Sequence, residues 1–524
     1  MPVRTIGEVP YLNALYYPDK KAIVDPPQEF TWAQVNERVN RLANGLIGMG
    51  CRKGERIAIL SYNSPQFIET IFACAKAGLI YVPLNFRLSL DEMKYILNDS
   101  TPTTLIFGGQ LVEVASALRE DFPLRFVSMA EDLGWARGYE ALLRSGSAAE
   151  PSEALAAEDD PAEIFYTSGT TGFSKGVVHT HRARLKGALN CVIDGELNFD
   201  DIYLLNVPAL CHAAGWVWVL ANSMVGGSIV ISRLRGFDPE VILRTVEDRS
   251  ITNLQMVPLT IMELIDFADK GKYDLSSLRM IFYATAPMPA APLRKALSLF
   301  GNIFMQPYGL TETGPNVTCL RKKQHSIEGL SDETAAKRLR SCGRPCCGVY
   351  VKLVDENGRE VPPHTVGEIV VKSTDMMTCY WNNEEQTEKT LRDGWLYTGD
   401  LATYDEDHFF YLVDRKKDMI ISGGLNIYPA EVERVIHEHP AVAQCAVIGV
   451  PDERWGEAVK ALVVLGSERQ TSEDEIINFC KRNLAGYKKP RSVEFVSELP
   501  RNPQGKILKK VLRERYWAGR ERKI

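Results

Sequence analysis

Positive charge is not in excess in this chain: its 524 residues carry 61 Lys and Arg against 67 Asp and Glu, a formal net charge of −6. A protein that holds a nucleic-acid backbone needs a basic field, so this balance excludes nucleic acid as a partner. Long hydrophobic runs are scarce as well. The most apolar stretch, Gly215 to Ile231, is interrupted by Asn222, Ser223, Gly226 and Gly227 and is shorter than a comfortable membrane span, so stable membrane insertion is not expected. The opening residues Met1-Pro2-Val3-Arg4 lead straight into amphipathic sequence, without the apolar core or cleavage site of a secretory signal, and the expected location is cytoplasmic. Paired cysteine motifs are missing too. The eleven cysteines are scattered and odd in number, and although Cys342, Cys346 and Cys347 cluster, no Cys-x-x-Cys pair accompanies them. Reduced thiols, small and buried or in loops, are expected in place of a metal site or disulfide framework. No internal repeat or long low-complexity segment is present.

What the chain does have is ordinary globular material, 45% hydrophobic and 24% charged. At about 150 residues per unit, its length points to roughly three to four compact units. Helical and strand patterns alternate through the first two thirds. Trp32 to Met49 has a helical apolar period, Arg56 to Leu60 reads as a buried strand, Gln66 to Ala77 as a helix and Leu79 to Leu84 as a strand. The alternation resumes with Ser228 to Ser232, Pro239 to Arg249, Asn253 to Val257 and Met280 to Ala284. Strands separated by helices imply parallel pairing, so a three-layer α/β body is expected to about residue 340. After it come β-rich pieces, Val349 to Val354, Gly367 to Lys372 and Phe409 to Val413, which fit a smaller β subdomain. Beyond the polar junction Asp414-Arg415-Lys416-Lys417-Asp418, the last hundred or so residues read as a separate small α+β domain.

Five segments carry chemistry. Tyr166 to Gly176, Tyr-Thr-Ser-Gly-Thr-Thr-Gly-Phe-Ser-Lys-Gly, follows a short apolar run. Its glycines allow close backbone approach, its hydroxyls and Lys175 supply donors and charge, and together they suit a polyphosphate. It is not the common nucleoside-triphosphatase loop, because Ser174 precedes Lys175 and Gly176 follows it. Gln306 to Thr313 sets an aromatic ring, a glycine, a hydroxyl and the Glu312 carboxylate in one short turn, able to stack a base and hold Mg²⁺. Trp395 to Asp400 ends in a carboxylate suited to ribose hydroxyls. The basic junction at 414–418, followed by Gly423-Gly424 and the Pro-led helix start at Tyr428-Pro429, has the composition of a hinge. Pro500 to Ile507 holds Lys506 in a turn.

In this order and at these separations, the five segments resemble the core motifs of the adenylate-forming superfamily. Acyl-CoA synthetases, firefly-type luciferases and peptide-synthetase adenylation domains belong to it, and the likeness covers essentially the whole chain, leaning toward bacterial-type fatty-acyl-CoA ligases. The resemblance implies an α/β protein: an N-terminal domain of two α/β sheets plus a β subdomain over residues 1–416, and a small mobile α+β lid over 417–524 with its hinge at Lys417. It implies that Thr167, Ser168, Gly169, Thr170, Thr171, Gly172 and Lys175 embrace the ATP phosphates, that Tyr308 stacks on adenine, and that Ala286 and Gly309 also belong to the nucleotide-binding residues. Glu312, with Thr167, would hold Mg²⁺, Asp400 and Arg415 the ribose, and Gly423 and Gly424 the CoA channel. Thr311, Glu312, His212 and Lys506 would serve adenylate formation. Carboxylate attack on the α-phosphorus spreads negative charge over phosphoryl oxygens, which a metal and a mobile lysine would stabilise.

Departures from the family pattern narrow the reading. Ser174 stands where many relatives carry proline, Ile421 where some aryl-CoA ligases and luciferases carry lysine, and Leu425 where many fatty-acyl ligases carry glutamate. By resemblance Val207 to Trp216 lines the acid pocket, with His212 beside the carboxylate and Trp216 at the position of a gating tryptophan. Ala213, Ala214 and Gly215 leave room for a long or bulky acyl group. Lys488, Lys489 and Arg491 are candidates for the CoA phosphates. The expected activity is ATP-dependent ligation of a medium- or long-chain fatty acid to CoA through an acyl-adenylate. Alternatives are an aryl or alicyclic acid as substrate, an acyl-AMP ligase that loads a carrier protein, and a nucleotide sensor without turnover. Expected partners are the acid, ATP and CoA, with association into a homodimer left open.

Overall fold

A strand apolar on both faces, such as Arg56–Leu60 or Met280–Tyr283, can be satisfied only inside a sheet covered on both sides. Residues 57–60 and 280–283 are indeed fully buried. The computed structural model describes residues 3–152, 156–167, 174–206, 209–232, 236–267, 272–284, 288, 290–466, 469–501 and 507–518. They divide into two units: 1–351 with 371–396, and 352–370 with 397–524.

The first unit holds two large sheets. The nine-stranded one runs, edge to edge, through Arg344–Pro345, Gly314–Leu320, Phe304–Leu310, Met280–Tyr283, Asn253–Met256, Ile202–Leu205, Ser228–Ile231, Lys21–Asp25 and Gln28–Thr31. The eight-stranded one runs through Cys379–Tyr380, Lys175–Thr180, Pro161–Thr167, Ile80–Leu84, Arg56–Leu60, Thr104–Phe107, Arg125–Ser128 and Arg137–Gly138. Their inner strands pair in parallel, as helix-separated strands must, while antiparallel pairs lie toward both ends of the nine-stranded sheet and toward the Cys379–Tyr380 end of the eight-stranded one. Side chains reinforce the helix starts. Thr31 and Gln34 form a reciprocal capping box on Trp32–Gly48, and Ser89 and Glu92 do the same on Leu90–Ser100.

Periodicity located these elements to within a residue or two: Pro65–Lys76, Ile80–Leu84 and Pro239–Arg249 stand where the apolar spacing put them. The expected end of the α/β body near residue 340 needs correction. Residues 371–396 return to the first unit, and Cys379–Tyr380 pairs with Lys175–Thr180 as the outermost strand of the eight-stranded sheet. A two-residue strand is too short to show a period, so its pairing is set by tertiary contact.

In the second unit residues 400–404 pair antiparallel with Phe410–Arg415. Val442–Asp452 and Gly456–Leu465 form a long antiparallel hairpin that Ser492–Phe495 extends in parallel. Helices Pro429–His437 and Glu473–Asn483 pack on it through Val432, Val435, Ile436, Ile476 and Cys480. Among the described residues no helix is long and apolar enough to cross a membrane. All eleven cysteines are free, with Cys342 and Cys346 buried and Cys347 exposed, as expected of reduced thiols.

Candidate active site

In the first unit the strands Pro161–Thr167 and Lys175–Thr180 form an antiparallel hairpin in which Thr167 lies directly opposite Lys175. These two residues bound the segment that the sequence reading assigns to phosphate. Ser168, Gly169, Thr170, Thr171 and Gly172 fall outside the described residues, as does Ala286. Lys175 donates from Nζ to Gln386 Oε1 at 2.7 Å and stands 5.0 Å above the centroid of the Tyr380 ring. The same tyrosine donates its phenolic proton to Glu312 Oε1 at 2.9 Å. Burial draws the Lys175 ammonium below its usual pKa, with Glu312 opposing the shift and Lys389 adding to it. Burial and then the Glu312 charge push the Tyr380 phenol well above its own, so it stays a proton donor to the carboxylate.

Glu312 sits in the turn between Phe304–Leu310 and Gly314–Leu320, and its carbonyl accepts from Met377 N at 2.8 Å. Thr313 shapes the turn by accepting from Leu310 N at 2.8 Å. Gly309 is needed because a Cβ there would lie 2.6 Å from Pro315 O. Tyr308 is buried, 8% exposed, opposite Thr318 in the hairpin.

The acid-pocket candidates lie at another helix start. His212 immediately precedes Ala213–Met224, and burial, followed by the charge of Arg87, pushes its pKa down to about 4, so the ring is neutral at pH 7. Trp216, one turn on, is 0% exposed, edge-on to Phe72 at 5.5 Å and Tyr81 at 6.1 Å, and its indole N–H has no hydrogen-bond partner among the described residues.

In the second unit Asp400 lies directly opposite Arg415 and forms an ion pair with it, Oδ1 3.2 Å from Nε. Glu368 gathers Gly399 N and Lys416 Nζ, each at 3.1 Å. Lys417 belongs to the single turn Lys416–Asp418. Ser422 and Leu425 pair across Gly423 and Gly424, which both have positive φ (60° and 79°). The glycine segment is therefore a two-residue hairpin turn of the type that requires left-handed residues at both positions. Lys488 spans both carboxylate oxygens of Glu431 at 2.8 Å, and Arg491 lies over the Trp455 ring. Lys506 is outside the described residues.

Tyr380, Gln386 and Arg87 escaped the sequence reading. Tyr380 is 68 residues from Glu312 and in no motif, and only the return of residues 371–396 to the first unit brings it there.

A model of AMP-binding enzymes matches residues 12–381, and a model of the C-terminal domain of AMP-binding enzymes matches residues 431–506. The chain belongs to the AMP-binding enzyme family. Its relatives include a feruloyl-CoA synthase from Amycolatopsis sp, 38% identical over 98% of this chain and 99% of its own. The long-chain-fatty-acid–CoA ligase FadD13 of Mycobacterium tuberculosis is 35% identical over 98% and 99% of the two chains. Among solved structures, ATP-bound MatB from Rhodopseudomonas palustris superposes with a TM-score of 0.87 at 30% identity, covering 98% of this chain and 99% of that one. This AMP-binding enzyme is thus an AMP-forming acid–CoA ligase, with the mixed α/β architecture of the adenylate-forming enzymes.

Proposed function

We propose that this AMP-binding enzyme activates a medium- or long-chain fatty acid with ATP and transfers it to CoA. The observation that carries the nucleotide half of this reading is the Lys175–Tyr380–Glu312 group beside the loop ends. It holds a cation and a carboxylate on one aromatic side chain, next to a hydroxyl- and glycine-rich loop. Lys175 and the loop would take phosphate oxygens, and Tyr308 would lie against adenine. Glu312 fits Mg²⁺ as a hard oxygen donor, since that ion binds through one or two carboxylates plus nucleotide phosphates. When bound, the metal would neutralise charge on the phosphoryl oxygens. Asp400 would accept from the ribose hydroxyls, while Arg415 holds Asp400 in place. Lys417 would be the hinge that first presents Lys506 to the reacting phosphate and then the Gly423–Gly424 turn to the CoA thiol.

Support for a fatty acid comes from the small residues Ala213, Ala214 and Gly215 after His212, and from likeness to the fatty-acid–CoA ligase over nearly the full length. An aryl acid is the second reading, favoured by the 38% identity to the feruloyl-CoA synthase. Incubating the protein with MgATP, CoA and a panel of saturated fatty, cinnamic, benzoic and dicarboxylic acids, with AMP and thioester measured separately, decides between them. Acid-dependent AMP release with thioester from octanoate to palmitate supports the proposal. Turnover confined to cinnamic acids transfers the assignment to the aryl reading, and AMP without thioester on any acid removes CoA as acceptor.

A further inference from the structure

The C-terminal end of the helix Leu90–Ser100 meets the hairpin Pro161–Thr167 and Lys175–Thr180 through contacts that the helix itself does not require. The last carbonyls of a helix have no partner within it. Here Arg56 takes two of them, donating from Nε to Ser100 O and from Nη2 to Thr101 O, each at 2.8 Å. The carbonyl of Asp99 goes to the returning segment 371–396, where Trp381 Nε1 donates to it at 3.1 Å and Asn382 Nδ2 at 3.0 Å. Arg56 also lies over the Trp381 ring, 5.4 Å from its centroid, so the helix end and the segment are held from two sides.

The Asp99 side chain reaches the other way. Its Oδ2 accepts the phenolic proton of Tyr166 at 2.5 Å, and Tyr166 lies directly opposite Gly176 in the hairpin, next to Thr167 and Lys175. Burial, then the bond to Asp99, holds the Tyr166 phenol far above its usual pKa, so it remains the donor. Trp381 N closes the circuit by donating to Gly176 O at 2.7 Å. A Cβ at Gly176 would lie 2.8 Å from Ile164 Cγ2 and 3.0 Å from Tyr166 Cζ, so this close approach uses the missing side chain. A carboxylate in the last turn of a helix opposes the helix dipole, so Asp99 does not serve the helix. Its partners belong to the two segments that meet at Lys175 and Tyr380.

We infer that Asp99 is a positioning residue for the nucleotide, holding the base of the phosphate segment through Tyr166 and the segment that carries Tyr380 and Gln386 through Trp381 and Asn382. The inference rests on the reading of these segments as the ATP site. With both anchored to one residue, Lys175 keeps its place over the Tyr380 ring and beside Gln386 before ATP arrives, and a site fixed in advance loses less freedom on binding. The carbonyl contacts belong to the backbone, so a side-chain substitution at Asp99 cuts only the arm to Tyr166.

Three substitutions test that arm. Asp99→Ala removes the acceptor of the phenol, Asp99→Asn keeps an oxygen there without the charge, and Tyr166→Phe removes the hydroxyl but keeps the ring. MgATP binding to the full-length protein is measured by calorimetry without acid or CoA. Asp99→Ala and Tyr166→Phe should each weaken affinity about tenfold, and Asp99→Asn should stay within about threefold of wild type. The double variant Asp99→Ala with Tyr166→Phe should be no weaker than either single one, because both remove the same bond. A merely structural role would lower the melting temperature and the number of competent sites while the remaining sites bind with wild-type affinity, and that result overturns the inference. So do additive losses in the double variant, or an Asn variant as weak as Ala. Amide exchange without nucleotide reads the anchor independently of ATP. The Trp381 N–H should exchange faster in Asp99→Ala and Tyr166→Phe than in wild type and Asp99→Asn, and an unchanged rate overturns the inference. Wild type that binds no MgATP would refute the nucleotide reading, while the exchange comparison still judges the anchor. Should Asp99→Ala not fold, Tyr166→Phe, which keeps the ring and its packing, carries both measurements alone.

Discussion

Tyr380 donates its phenolic proton to Glu312 at 2.9 Å while the face of its ring lies 5.0 Å beneath the Lys175 ammonium. One side chain therefore holds the two charges that a metal-bound triphosphate would claim. Removing the hydroxyl in Tyr380→Phe leaves the ring under Lys175 but frees Glu312. Loss of a hydrogen bond to a charged group should lower kcat/KM for ATP about tenfold and raise the magnesium concentration needed for half-maximal rate. Tyr380→Leu also removes the cation–π contact and should cost about a further threefold. An unchanged KM for ATP and magnesium requirement in both variants would show that the tyrosine is only structural.

Two buried histidines make stability depend on pH. His325 donates from Nδ1 to the Arg321 carbonyl and accepts from the Tyr283 hydroxyl at Nε2, 3.1 and 3.0 Å, while His181 accepts from Ile6 N. Burial pushes both pKa values down to about 4. Between about pH 6.5 and 4 the unfolded chain takes up protons that the folded chain refuses. Stability therefore falls as pH drops through that window, by roughly 3 kcal/mol per histidine, and this contribution levels off below it. Urea unfolding at pH 7.5 and 4.5 measures the effect. His325→Gln should be less stable than wild type at pH 7.5, with the gap narrowing at pH 4.5; a gap independent of pH would refute the assignment.

The half-reactions should part at two residues of the second unit. Lys506→Ala should abolish acid-dependent pyrophosphate exchange but spare thioester formation from supplied acyl-adenylate, the loss being about thirty- to a thousandfold. Gly424→Leu should do the reverse if the turn meets the CoA arm. A Cβ at Gly424 meets nothing within 4 Å, but φ is 79°, so backbone strain accompanies the added bulk. Gly424→Asn, which tolerates the left-handed region, is the control: it should retain more thioester formation than Leu. Equal loss in both half-reactions for Lys506→Ala and Gly424→Leu would contradict a hinge at Lys417.

How much of this the sequence disclosed depends on the range of the interactions concerned. Pro239–Arg249 was legible because its apolar spacing, Pro at the start and Asp238 cap are all local. Thr167 and Lys175 were legible as loop ends because the intervening glycines and hydroxyls are contiguous. Tyr380 was not, since its value lies in touching Lys175 and Glu312, both distant in the chain. Arg87 gave no sign of acting on His212 for the same reason. The local basic run at Lys488 gave no sign of its ion pair with Glu431, 57 residues away in the chain.

Trp216 tests whether the acid pocket extends inward from His212. The indole is wholly enclosed against Phe72 and Tyr81, so Trp216→Ala should cost about 3–5 kcal/mol of stability whatever else it does. Among the described residues its N–H meets no acceptor, which is unusual for a purely packing role, since a buried indole normally finds one. If the ring also forms the inner wall of the acyl site, the emptied volume should admit longer chains. KM should then fall for long acids relative to short ones, while KM for ATP stays within about threefold, because the phosphate and metal groups are untouched. Trp216→Phe separates the two effects by keeping an aromatic edge against Phe72 and Tyr81: it should recover most of the melting temperature yet keep part of the altered chain-length preference. A lower melting temperature in Trp216→Ala with an unchanged preference across the acid series would assign the indole to the core alone and place the end of the acyl site elsewhere.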